Sequence, residues 1–497
     1  MSFDVTLDRR ILDDLADIAL DAARRAGASY ADIRLGETRR EHALARDDRL
    51  ERFDESRRCG FGLRVLVDGA WGFCGDVRLA RPAILAALER ACDSARAARR
   101  VQAAPVGIER LVAREATWRM PMVIDPFEIS AAAKADLLLT VTSAARAGGA
   151  DFCEATLDCK REERLFANSH GARLLQSRTR VTPFFEATAV DRASGRFAAR
   201  ESLVPARGAG WEYLAGCGLV EEARRAGGEA RRKLAAKPVT PGVVDVVIDP
   251  TNLWLTIHET VGHSTELDRV LGWEANFAGG SFVKPAMRNN LRFGSELMTI
   301  RAERSREGGL ATIGFDDDGA PAEAAEFFIV EKGVFKSFQM AMGQAHHIGA
   351  PGSNGCAYAD DPTALPIQRM PNISLEPGSA TCALDDLIAG IDRGLYVVGA
   401  GSWSIDQQRD NFQFGGQLFY EICNGRLGDM VQGAAYQGRT LSFWNALDGL
   451  GDASTFKLCG TPYCGKAEPI QIAPVSHGAP LARFRGVTVI ATDAERA

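Results

Sequence analysis

Two histidines flank a carboxylate in His258-Glu259-Thr260-Val261-Gly262-His263, and Glu266 and Asp268 follow closely. Neutral imidazole nitrogens hold zinc, and a neighbouring glutamate takes a proton from metal-bound water. The widespread H-E-x-x-H spacing sets its histidines at i and i+4 on one helix face. Here the second histidine comes one residue later, so a straight helix separates the two side chains by about 140°. Gly262 can relieve this by ending the helix or admitting a π-bulge that turns His263 back toward His258. A catalytic zinc takes three protein ligands and keeps a fourth position for water. The candidates for the third ligand are Glu266, Asp268, His346, His347, Cys459, Cys464 and His477. Spacing alone favours Glu266, and the C-x4-C pair of Cys459 and Cys464 could also hold a metal by itself.

These residues need a rigid platform. The apolar run Val243 to Ile248 reads as a buried strand, Asp249 as an N-cap and Pro250 as the first helical residue, so a helix reaches His258 after about two turns. Beyond Asp268 the pattern is β-rich, with strands at Phe327 to Val330, Ile373 to Leu375, Leu395 to Val398, Gln417 to Ile422, Arg426 to Val431 and Val487 to Ile490. The acidic turn Asp316-Asp317-Asp318-Gly319 reads as a solvated hairpin, and His346-His347 as loop histidines.

Upstream, amphipathic helices are expected over Ile11 to Ala26, from Pro82, from Pro126 to Ala147 and from Val220 to Ala236. Between them lie hairpin strands, the clearest turning at Asp68-Gly69. The expected architecture is α+β. An N-terminal α+β domain (residues 1–236) has its helices on one face of an antiparallel sheet. A linker (237–242) leads to a C-terminal β-rich domain (243–497) that carries the metal-site helix.

The chain has 497 residues, 46% hydrophobic and 25% charged, with a net charge of −6. That balance suits a globular protein and gives no support for a nucleic-acid or membrane surface. No apolar run spans a bilayer, and Met1-Ser2-Phe3-Asp4-Val5 leads into charged residues rather than a leader peptide. Eleven cysteines without a repeating framework point to reduced thiols in the cytoplasm.

H-E-T-V-G-H-x-x-E-x-D at 258–268 resembles the H-E-x-x-G-H-x-x-E-x-D signature of the TldD/PmbA metalloproteases, on the catalytic TldD side. Further likenesses are the strand pair Gly60 to Phe73, R-M-x-N at Arg369 to Asn372, Cys464-Gly465-Lys466, and the closing Pro474 to Pro480. The resemblance implies Cys464 as third ligand to zinc beside His258 and His263, with Glu259 as general base. Glu266 and Asp268 would then orient imidazole N–H groups. Because a thiolate ligand weakens zinc as a Lewis acid, a separate oxyanion donor is expected from Arg369, His477 or Tyr463. The family implies short or unfolded peptide substrates, and a homodimer or a heterodimer with a PmbA/TldE-like chain. The rival expectation is a non-enzymatic regulatory partner of the gyrase-modulator type. Against it, such partners lack the intact H-E-x-x-x-H that this chain keeps.

Overall fold

The computed structural model describes residues 8–109 and 111–492. The segment on which the absence of a leader was judged lies outside them. The N-terminal half opens with α1 (Arg9–Arg25), followed by β1 (Tyr30–Arg46), β2 (Arg49–Val67) and β3 (Ala70–Asp76). Next come α2 (Arg81–Arg99), β4 (Glu115–Arg119) and α3 (Ala131–Gly148). Long strands β5 (Phe152–Asn168) and β6 (Arg173–Val190) precede the short β7 (Phe197–Glu201), α4 (Trp211–Gly216) and α5 (Leu219–Ala235). The helix expected from Pro126 begins only at Ala131. Ser130 caps it, and a separate 3-10 turn takes Pro126–Glu128.

The strands form one sheet ordered β3-β2-β1-β5-β6-β4, with β7 also on β6. All its pairings are antiparallel except the parallel β4–β6 pair. Alternation along the strands separates two faces. Ile33, Leu35, Leu63, Val65 and Leu165 meet α1 and α2 on one face. Ala43, Leu157, Val181 and Phe185 meet α3 and α5 in a second core.

The opposite face is charged, and water would ordinarily cover it. Here the C-terminal half covers it instead. Arg64 pairs with Asp32 and Asp318, each at 2.7 Å. Glu162 accepts from Arg178 at 3.0 Å, Arg164 at 3.1 Å and the Tyr358 hydroxyl at 2.9 Å, and also pairs with Arg180. The turn Asp316-Asp317-Asp318 is therefore not the solvated hairpin expected: all three carboxylates are buried. Asp316 accepts three backbone N–H groups, from Asp318, Ala320 and Ala357. Burial, with Asp318 beside it, pushes the Asp316 carboxyl up to about 7.

In the C-terminal half, Lys237-Pro238 (β8), read from the sequence as the start of a linker, pairs with Val431-Gln432. Strand β9 (Gly242–Ile248) follows. It pairs in parallel with the strand Arg393–Ile405 and antiparallel with Ala482–Ala491. Strand Arg393–Ile405 also pairs with Asn411–Cys423, which continues through Ala434–Arg439 back to Ala482–Ala491. The sheet thus closes on itself around a core that includes Val246, Ile248, Phe414, Tyr436 and Phe484. Among the described residues no helix is long and apolar enough to cross a membrane.

Arg64 holds two buried carboxylates from opposite halves of the chain, so Arg64→Met leaves Asp318 without its cation and Asp32 with Arg34 alone. The variant is expected to lose about 3–5 kcal/mol of stability, read as a lower denaturant midpoint at unchanged m-value.

Candidate metal centre

The platform forms as the sequence suggests. Asp249 caps α6 (Pro250–Thr256), its Oδ1 accepting from the Thr251 N–H, and Pro250 occupies the first turn. The Asn252 amide donates to the carbonyls of Gly399 and Gly415, both at 2.8 Å, fixing the helix to the closed sheet. After Thr256 the helix widens to a π turn over Ile257–Gly262, and the His263 N–H bonds the His258 carbonyl five residues back. That extra residue brings i and i+5 to one face, and the two imidazole centroids lie 4.6 Å apart.

Gly262 has φ −55° and ψ −65°, ordinary helical values. The position needs glycine for space rather than for conformational freedom, because a Cβ there would stand 2.6 Å from Met370 Sδ. Three carbonyls at the end of the turn accept from side chains. Ser264 Oγ donates to Thr260 O, Thr265 Oγ1 to Val261 O and Gln339 Nε2 to Gly262 O, at 2.6, 2.8 and 2.6 Å.

Cys464 comes from the strand Lys457–Lys466, with its Sγ 3.6 Å from His263 Nε2. One donor atom from each of His258, His263 and Cys464 lies within 4.8 Å of the others, all three residues buried. A tetrahedral zinc with ordinary Zn–N and Zn–S bonds requires N···S of about 3.6 Å, which the His263–Cys464 pair matches. Cys459 is buried on the same strand, opposite His477, but is not part of this three-residue group, and burial pushes its thiol up to about 12. His346 and His347 are exposed on a 3-10 turn away from the cluster.

Each imidazole has a partner behind it. His477 Nδ1 faces the Ile373 carbonyl at 3.1 Å, and its Nε2 faces His258 Nδ1 at 2.7 Å. With the carbonyl as acceptor, His477 carries its proton on Nδ1 and accepts from His258, whose Nε2 is then an unprotonated donor. The Trp254 ring stacks on His477. On the other side His263 Nδ1 donates to Glu266 Oε2 at 2.8 Å. Burial drives both imidazoles below their usual range, His258 to about 4, which keeps them neutral as metal donors must be. Burial alone would raise the Glu266 carboxyl, but Lys466, His263 and Arg269 together hold it well below the usual carboxylate range.

The remaining expectations divide. Glu266 lies against the back of His263, which removes it from the open side as a spacing-based third ligand. Asp268 touches neither imidazole; it accepts from Lys466 Nζ at 2.8 Å, and Lys466 also donates to Gln368. Arg369 braces the cysteine strand, donating to the Cys464 and Gln471 carbonyls. Tyr463 is exposed. Glu259 forms an ion pair with Arg409, a residue that sequence reasoning missed. Nothing local marks Arg409, since it lies 150 residues away in a hairpin loop. Lys466 and Arg269 were also missed; Lys466 follows Cys464 in a motif used only to rank the cysteines.

Three family models match the chain: PmbA/TldA metallopeptidase domain 1 at residues 31–98, the central domain at 124–234 and the C-terminal domain at 241–491. A metalloprotease of Methanothermobacter thermautotrophicus is 30% identical over 481 residues, covering 96% of this chain and 98% of its own. Among solved structures, a Thermotoga maritima protein described as a candidate modulator of DNA gyrase superposes with TM-score 0.75 at 18% identity, covering 96% of this chain and all of its own. TldE from Thermococcus kodakarensis gives TM-score 0.71 at 16% identity, covering 96% of this chain and 99% of its own. At these identities the two structures share the fold.

Overpacking at Gly262 provides a test of the π turn. Gly262→Ala is expected to destabilise by about 1–3 kcal/mol. In a Met370→Ala background the added cost of Gly262→Ala should shrink, giving a coupling in a double-mutant cycle. Independent, additive effects would show that Met370 is not the constraint.

Proposed function

Given that the chain belongs to the PmbA/TldD metallopeptidase family, we propose that it is a zinc-dependent peptidase with His258, His263 and Cys464 as ligands and Glu259 as general base. The observation that carries this reading is the convergence of Cys464 Sγ to 3.6 Å from His263 Nε2, from a strand 201 residues further along. Two imidazoles and a thiolate favour zinc among the common divalent ions. Zinc held there supplies Lewis acidity, polarising a peptide carbonyl and lowering the pKa of water toward 7.

The chain's own residues do the rest. Glu259 lies one residue after His258 and takes the proton of the attacking water, then passes it to the leaving amine. Glu266 and His477 fix the two imidazoles so that each presents Nε2. A cleft of about 380 Å³ lined by Phe184, Trp254, Cys459 and Tyr463 opens beside Trp254. None of His258, Glu259, His263 or Cys464 lines it, so its mixed apolar and polar walls suit a flanking segment of a short or unfolded peptide, and nearby strand edges can read backbone rather than side chains. We place the protein in the cytoplasm, where its eleven cysteines, all free thiols, would stay reduced. It would act there as a homodimer or with a TldE-like chain, and without nucleic acid or membrane.

Incubation of the zinc-loaded and chelated protein with an unfolded-protein digest, followed by mass spectrometry, tests the activity. Metal-dependent cleavage is expected, and its absence with full zinc occupancy would favour a non-enzymatic partner. Glu259→Gln should keep its zinc and lose about 10²–10⁴-fold in rate. Loss of the metal from that variant would make Glu259 a ligand.

The cysteines separate in a second experiment. Cys464→Ser is expected to lose activity and most of its zinc, while Cys459→Ser changes little. Alkylation should label Cys464 only after chelation. If Cys459→Ser is the variant that loses zinc, the ligand set is wrong.

A further inference from the structure

Peptide hydrolysis builds negative charge on the carbonyl oxygen, and a preorganised donor aimed there contributes about 10²–10³-fold in rate. Each of the three donors expected from the sequence already has a partner. Arg369 is buried and donates to two backbone carbonyls behind Cys464. His477 lies between Ile373 and His258. Tyr463 interacts with Arg40 and Asp158, residues of the N-terminal sheet. Lys466 and Arg269 are both occupied by Glu266 on the far side of His263.

We propose that Arg409 binds the scissile carbonyl oxygen and stabilises it as an oxyanion, an assignment that rests on the metallopeptidase reading above. Its guanidinium pairs with Glu259, so a cation stands beside the proposed base and near where the carbonyl oxygen must lie if that base serves the attacking water. The donors of Arg409 are under-used. Nε has no hydrogen-bond partner, and Nη2 has only a 3.5 Å contact to the Ala278 carbonyl.

The loop carrying Arg409 is built to hold it. Residues 406–410 join the strands Arg393–Ile405 and Asn411–Cys423. The Arg409 backbone has φ +64°, a left-handed conformation that side chains other than glycine rarely adopt. Its N–H donates to Asp406 O, its carbonyl accepts from Thr440 Oγ1, and the Asp406 carboxylate accepts from Asp410 and Asn411 N–H groups. An arginine is held in disfavoured backbone geometry with its charge directed at Glu259.

In the reaction, the water oxygen bonds to the carbonyl carbon, the water proton passes to Glu259 and the π pair moves onto the carbonyl oxygen. Arg409 donates an N–H to that oxygen and keeps its proton. When the C–N bond breaks, the pair re-forms the carbonyl and the proton on Glu259 goes to the amine.

The test compares zinc-loaded wild type, Arg409→Lys and Arg409→Ala on a fluorogenic peptide, with zinc content measured in each. Inhibition by a phosphinic pseudopeptide, whose anionic oxygens mimic the tetrahedral centre, is measured alongside. Arg409→Ala is expected to keep its zinc, lose about 10²–10³-fold in kcat with little change in KM, and weaken phosphinate binding by the same factor as kcat/KM. Arg409→Lys should recover part of both losses, and added guanidinium should partly rescue the alanine variant. Three results would overturn the assignment. In the first, kcat is retained. In the second, rate falls while phosphinate affinity is unchanged, which would leave Arg409 only orienting Glu259. In the third, the loss is confined to peptides with a free C-terminal carboxylate and absent from amide-capped ones. A wild type that neither cleaves peptides nor binds the phosphinate would remove the peptidase reading as well, whereas an active Arg409→Ala variant removes only this assignment.

Discussion

The bond from the His263 N–H to the His258 carbonyl closes a turn one residue wider than an α-helix, and the candidate centre depends on it. Without that extra residue the two imidazoles would diverge by well over a right angle. A π turn is intrinsically poor in helical hydrogen bonds, so its surroundings must supply the missing partners. They do so from several directions: Ser264, Thr265 and Gln339 serve the freed carbonyls, and Trp444 Nε1 donates to Thr260 Oγ1 at 2.9 Å. Met370 fills the space that the absent Cβ of Gly262 leaves. The irregular turn is thus held by packing and polar contacts from segments far away in the chain.

The same logic of distant support extends outward. His258 and His263 are each backed by a hydrogen-bonded partner, His477 on one side and Glu266 on the other, and Glu266 is neutralised by Lys466 and Arg269. These groups come from separate segments, so the geometry exists only when the closed C-terminal sheet and its flanking hairpin are assembled. The charged face of the N-terminal sheet adds a further tie. Its arginines and acids are buried against the 316–318 turn and Tyr358, and removing one partner would strand another.

Much of this was legible in the sequence. The α+β class, the hairpin turning at Asp68-Gly69, the Asp249 cap and the helix leading to His258 all followed from periodicity, turn residues and capping. The five-residue spacing and the glycine pointed to either a helix end or a π-bulge, and the structure has the π turn, with the glycine serving packing and not backbone freedom. The reading failed where burial reverses what polarity suggests. Asp316, Asp317 and Asp318 look like a solvated turn until the opposing arginines of a remote sheet are in place. Arg409 escaped notice because a single arginine in a hairpin loop carries no local signature.

The sequence by itself determined which side chains are chemically able to act, because histidine, glutamate and cysteine spacing follows from local covalent geometry and residue type. It also determined that His258 and His263 need a widened turn, since helical pitch fixes the angle between i and i+5. Only the tertiary structure decided which cysteine approaches His263, whether Glu266 stands beside or behind that imidazole, and which cation faces Glu259. Those outcomes depend on strand register and on the closing of the sheet, which bring together residues 150 to 201 positions apart. No local pattern encodes such distances, because they are set by the packing of the whole chain.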